Sequence, residues 1–60
     1  MIVKFKFPKY FSKQVYNGIQ KSKKITGTYE IHSNVLYAYV GDVEEIEKIF
    51  DRLVLNYKIV

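Results

Sequence analysis

Residues 46–57 spell out one helical face. Ile46, Ile49, Phe50, Leu53, Val54 and Tyr57 recur at spacings of three and four, the period of an amphipathic α-helix with a continuous apolar stripe. A chain of 60 residues that carries such a stripe must bury it against a second layer. Asp42 stands at the expected N-cap, with Glu45 three residues on, so the spacing predicts an acidic variant of the capping box. Glu44, Glu45 and Glu47 suit the positive end of the helix dipole.

The rest of the pattern supplies that second layer. In residues 2–7, Val3, Phe5 and Phe7 alternate with Lys4 and Lys6, which predicts a half-buried strand ended by Pro8. Phe11, Val15 and Ile19, widened by Tyr16, form a first helical stripe with Ser12 as its cap. Gly18 lies inside it, either for close approach of a neighbour or at a frayed end, and 20–24 reads as a basic loop. Tyr29 and Ile31 alternate with Thr28, Glu30 and His32; Ser33-Asn34 supplies a turn; Val35–Val40 is apolar on both sides, as in a central strand. The segments form a hairpin.

The predicted order is β-α-β-β-α, a single α+β domain over 1–60. Both helices cover one face of a three-stranded sheet, the third strand lies between the first two, and the layout is ferredoxin-like without its last strand. Val3, Phe5, Phe7, Tyr29, Ile31, Leu36, Ala38 and Val40 are expected under the helices. The open face then carries Lys4, Lys6, Thr28, Glu30, His32, Val35, Tyr37 and Tyr39. The apolar tail from Tyr57 to Val60 is expected to pack on the sheet or in a partner.

Size and charge narrow the function. A core this small is marginal, and the chain has no Cys and one His, so neither disulfides nor a thiolate metal site can reinforce it. Self-association or docking is the remaining supplement. Lys4, Lys6, Lys9, Lys13, Lys21, Lys23 and Lys24 precede the first acid, Glu30, whereas the remainder sets Lys48, Arg52 and Lys58 against six acids. Such asymmetry suits a polyanion at one end, although a lysine run is also an ordinary solvated face. Tyr37 and Tyr39 flanked by Lys4 and Lys6 can stack bases and hold phosphates. With Val35 they equally suit a dimer contact. No apolar run reaches the roughly 18 residues of a membrane helix, and the expected setting is cytoplasmic.

Catalytic chemistry is not visible. Ser12, Ser22 and Ser33 lack a nucleophile signature, His32 falls beside a turn without a positioned partner, and isolated Gly27 and Gly41 make no phosphate cradle. The expectation is a non-enzyme without cofactor or metal.

The segments Ser12-Lys13-Gln14-Val15-Tyr16-Asn17-Gly18-Ile19, Tyr29–Val40 and Asp42-Val43-Glu44-Glu45-Ile46, running into Leu53-Val54, resemble the Pcc/CTAG family. These are small dimerising subunits of the archaeal and eukaryotic KEOPS complex. Where family members usually carry an Arg and an Asn on the second helix, this chain has Glu47 and Asp51. The resemblance implies a non-catalytic subunit that docks its helices on a catalytic subunit of sugar-kinase-like fold. It also implies a homodimer or a paralogue heterodimer, and help in holding tRNA for threonylcarbamoyladenosine formation. On that reading Val35, Tyr37, Tyr39, Ile46, Ile49, Phe50, Leu53, Val54 and Tyr57 form protein interfaces. The seven N-terminal lysines with Tyr37 and Tyr39 contact nucleic acid. The alternatives are a free-standing basic nucleic-acid binder, or a viral or mobile-element protein directed at a host protein.

Overall fold

The computed structural model describes all residues from Met1 to Val60. Its elements are β1 (Ile2–Lys6), α1 (Ser12–Lys21), β2 (Tyr29–His32), β3 (Val35–Tyr39), a 3-10 turn (Val40–Asp42), α2 (Val43–Leu53) and β4 (Lys58–Ile59). The sheet order is β2-β3-β1-β4, and every neighbouring pair is antiparallel. The α+β class and the position of β3 between β1 and β2 agree with the sequence. The strand count does not: there are four strands, so the β-α-β-β-α-β ferredoxin-like arrangement is complete.

The fourth strand comes from the apolar tail. Ile59 pairs with Phe5 and Lys58 with Lys6, and the Val60 N–H donates to the Lys4 carbonyl at 3.0 Å. α2 therefore ends earlier than the stripe suggests. Val54 takes a left-handed conformation (φ 56°, ψ 40°); its N–H donates to the Asp51 carbonyl and that of Leu55 to Phe50. This is a Schellman stop, normally built on glycine. The chain reverses there, and Tyr57 returns to the same core from outside the helix. Its ring stacks on Phe50 at 5.0 Å and lies 5.6 Å from Phe5.

The core is Phe5, Phe7, Val15, Ile19, Leu36, Ala38, Ile46, Ile49 and Phe50, with Val3, Tyr29, Ile31, Leu53 and Leu55 half-buried against it. Alternation in the strands and the two helical stripes supply these residues in register, and Phe5 meets Phe50 at 5.9 Å. Val40, expected here, begins the 3-10 turn instead and is 43% exposed.

Two predicted caps are also redirected. α1 runs to Lys21, into the expected loop, and Ser12 is its first residue rather than its cap. The Ser12 hydroxyl donates to the Ser33 carbonyl, binding α1 to the hairpin turn. Beside it, Asn34 and Phe7 exchange two bonds, Phe7 N–H to the Asn34 carbonyl at 3.0 Å and Asn34 Nδ2 to the Phe7 carbonyl at 2.7 Å. Asp42 precedes α2 but makes no capping bond. Its buried carboxylate turns to the α1–β2 loop, accepting from Thr26 N–H at 2.9 Å, Thr26 Oγ1 at 2.9 Å and Gly27 N–H at 2.8 Å. Burial by itself would raise the Asp42 pKa, but these three donors together hold it below the ordinary 3.8. Glu45 leaves the predicted box as well, accepting from Ser22 and Arg52.

Candidate nucleic-acid interface on the open sheet face

Both helices lie on one side of the sheet, so the other side is uncovered. Antiparallel partners point to the same face, and the register therefore lays out that surface in rows. One row runs Tyr39–Ile2, the next Glu30–Tyr37–Lys4, the third His32–Val35–Lys6–Lys58. Val60 joins the second row beside Lys4.

Tyr37 is the centre of this surface. It is half-buried, with the Lys4 ammonium 5.8 Å from its ring centroid and the His32 ring edge-on at 5.4 Å. His32 Nε2 lies 3.3 Å from Glu30 Oε2, so the one acid on the face is already engaged by a neighbour. A shallow depression bounded by Ile2, Thr28, Tyr29, Glu30 and Tyr37 adjoins it. Tyr37, Lys4 and Lys6 thus share a surface fixed by the two central strands, with Lys58 beside them on edge strand β4.

Tyr39 behaves differently from Tyr37. Its side chain is clasped between two glycines: an added Cβ on Gly27 would come within 2.5 Å of Tyr39 Cβ, and one on Gly41 within 2.6 Å of Tyr39 Cε2. The ring is 45% exposed but pinned at the end of the strand. The two tyrosines therefore do not form one stacking ladder of freely placed rings.

The seven lysines read as one basic segment separate in space. All are exposed. Lys4 and Lys6 stand on the open face, Lys9 in the β1–α1 connection, Lys13 and Lys21 on α1, and Lys23 and Lys24 after it. α1 lies on the opposite side of the sheet, so these charges belong to two surfaces of a molecule 16 Å deep along its short axis. Lys58 joins Lys4 and Lys6 and was not predicted, because a two-residue strand leaves no periodicity to read.

The predicted protein interface also divides. Ile46, Ile49 and Phe50 are sealed in the chain's own core at 1%, 3% and 0% exposure, and cannot meet a partner in this fold. Leu53 and Tyr57 are half-buried against that core, and Val35 is half-buried on the open face. Val54 is exposed. Between the helices lies a groove of about 310 Å³ lined by Gln14, Asn17, Gly18, Lys21, Ile49, Arg52 and Leu53. Gly18 makes it possible: an added Cβ would meet Ile49 Cγ2 at 2.9 Å, so the glycine serves close helix approach rather than fraying.

No cluster of three or more His, Asp or Glu side chains could hold a metal ion, and no helix is long and apolar enough to cross a membrane. No protein family, curated protein or solved structure matches the chain.

Proposed function

We propose that this chain is a non-catalytic binding domain that holds single-stranded nucleic acid on its open sheet face. The observation that carries the reading is Tyr37, a ring at the centre of an uncovered sheet, with Lys4 beside it in its own row and Lys6 and Lys58 in the adjoining row. A ring held by a rigid strand loses little entropy on stacking a base, and stacking is worth roughly 1–3 kcal/mol per base. The lysines supply phosphate contacts. Unstacked bases reach a flat sheet, whereas duplex bases do not, so a single strand is the expected substrate class. A face-to-face homodimer is the weaker reading of this surface. It would oppose three lysines of one copy to three of another with only Glu30 to compensate, and desolvating them costs more than the small apolar area returns.

Fluorescence anisotropy with short single-stranded RNA and DNA tests the proposal. Three lysine–phosphate contacts predict a log–log salt slope of about −2. Tyr37→Ala is expected to weaken binding about tenfold while leaving that slope unchanged, since it removes stacking and no charge. Binding that is absent, or that is indifferent to both salt and Tyr37→Ala, overturns the reading.

The alternative, an interaction subunit of a threonylcarbamoyladenosine-forming complex, draws support from the short segments that resemble the Pcc/CTAG family and from the groove beside Gly18. That groove, with exposed Val54 at the end of α2, is the helix surface left for a partner. It predicts co-purification with a subunit of sugar-kinase-like fold; recovery of the chain alone would count against it.

A further inference from the structure

The two flanks of the helix layer carry opposite charge. α1 contains no carboxylate. Its outer side is fixed by its contacts with β2: Tyr16 packs on Tyr29 at 6.2 Å between centroids, and Gln20 donates to the Tyr29 hydroxyl. Lys13 precedes Tyr16 by three residues and Gln20 by seven, so it stands on that same side. Exposed Lys23 and Lys24 follow the helix end, in the connection that leads to edge strand β2.

α2 is sorted the other way. Of its two cations, Lys48 and Arg52, Arg52 lines the groove toward α1 and lies 3.3 Å from Glu45, which also takes the Ser22 hydroxyl at the end of α1. Apart from Glu45, its carboxylates lie away from α1, Glu47 and Asp51 beside the entry to β4. Glu47 accepts from the Tyr57 hydroxyl at 2.9 Å, and that bond, with desolvation and the charges of Glu47 and Asp51, raises the Tyr57 pKa. Glu44, three residues before Glu47, completes an acidic flank with exposed Asp51; Lys48, four residues after Glu44, offsets one of these three charges, and the flank stays net negative.

The sheet edges beneath these flanks match as well. β2 and β4 each have one unpaired edge. Because β2 runs parallel to β1 and β4 antiparallel to it, a copy shifted sideways without rotation would set its β4 antiparallel to the first copy's β2. Unpaired edges template strand addition, here over no more than the two residues of β4, so the flanking charges carry most of the contact.

We propose that copies of this chain associate head to tail, the basic α1 flank of one against the acidic α2 flank of the next, with the β2 and β4 edges adjoining. The contact is heterologous, so it propagates rather than closing as a two-fold dimer. It leaves the open sheet face of every copy on the same side. If that face binds a single strand, as proposed above, binding along the strand is cooperative; the association itself does not rest on that reading.

Sedimentation velocity of the pure chain without nucleic acid tests the association separately. Raising salt from about 0.01 M to about 1 M shortens the Debye length from about 30 Å to about 3 Å. The apparent association constant is expected to fall at least about tenfold. Two charge-reversed variants are then compared, one with Lys13→Glu, Lys23→Glu and Lys24→Glu, the other with Glu44→Lys and Asp51→Lys. All five positions are exposed, and circular dichroism checks that each variant is folded. Each alone should remain monomeric, and a mixture should associate again, because one then presents two acidic flanks and the other two basic ones. Milder versions, Lys13→Gln with Lys23→Gln and Lys24→Gln, and Glu44→Gln with Asp51→Asn, serve where a reversal fails to fold; each should lose association, and folded neutral variants that associate like the parent would overturn the proposal. A wild-type chain monomeric at low salt, a salt-insensitive dimer, or folded reversed variants that do not recombine would each overturn the proposal.

Discussion

Replacing Asp42 separates two accounts of why it is there. As a helix cap it would be worth about 1 kcal/mol, and serine would do equally well. The geometry gives it a different task, since its buried carboxylate joins the start of α2 to Thr26 and Gly27 through three bonds of 2.8–2.9 Å. Asp42→Ala or Asp42→Ser leaves the Thr26 and Gly27 amides without their acceptor. Thr26 Oγ1 can turn to water, but each stranded amide costs at least about 1 kcal/mol. Thr26 is exposed and Gly27 half-buried, so water is close and the lower end of the range applies. The expected loss is about 2–3 kcal/mol, against the roughly 3–5 kcal/mol that a core of this size supplies. Urea unfolding followed by far-ultraviolet circular dichroism at neutral pH measures it. Serine caps helices well but its side chain is too short to span to the loop, so Ser should lose as much as Ala. A serine variant within about 0.5 kcal/mol of the parent would refute the clamp and restore the cap.

Three further outcomes follow from the same geometry. The pKa of Asp42 is lowered in the folded state, so its contribution is present above the unfolded value, near 3.8, and is lost as pH falls through the folded value; acid titration of Asp42→Asn should show a smaller stability loss below about pH 4 than the parent. Val54→Gly relieves a β-branched residue from a left-handed conformation at an 88% exposed site, and should raise stability by about 1 kcal/mol, or about 4–8 °C in Tm, by thermal melts. Gly18→Ala gains helix propensity of about 1 kcal/mol but drives a Cβ to 2.9 Å from buried Ile49 Cγ2, a methyl held on the branched Cβ that cannot swing aside, so overpacking wins and stability falls by about 1 kcal/mol in urea titration.

Much of the fold was written in periodicity. Val3, Phe5 and Phe7, the pair Val15 and Ile19, and Ile46, Ile49 and Phe50 name their own buried faces, and the hairpin turn follows from Ser33-Asn34. The departures are local and share a cause: side chains with two possible partners. Asp42 and Ser12 are good caps by type, but tertiary acceptors and donors took them. The end of α2 was hidden because Val54 replaces the usual glycine, while Tyr57 keeps the helical spacing yet reaches Phe50 from a returning strand. With β4 unread, Lys58 was missed as a member of the open face. The alternation of Lys4, Lys6 and Tyr37 already pointed to that surface. Sequence could not show that Tyr39 is clasped by Gly27 and Gly41, or that one lysine-rich segment divides between two sides of the sheet.

Titration of the isotopically labelled chain with a short single-stranded oligonucleotide, followed by amide and side-chain chemical shifts, tests the central claim most directly. Perturbations concentrated at Lys4, Lys6, Tyr37 and Lys58, with the outer surfaces of α1 and α2 little changed, are the predicted result. Perturbations confined to α1 and the Lys23–Lys24 segment, or none at concentrations where basic proteins bind nucleic acid non-specifically, would contradict it.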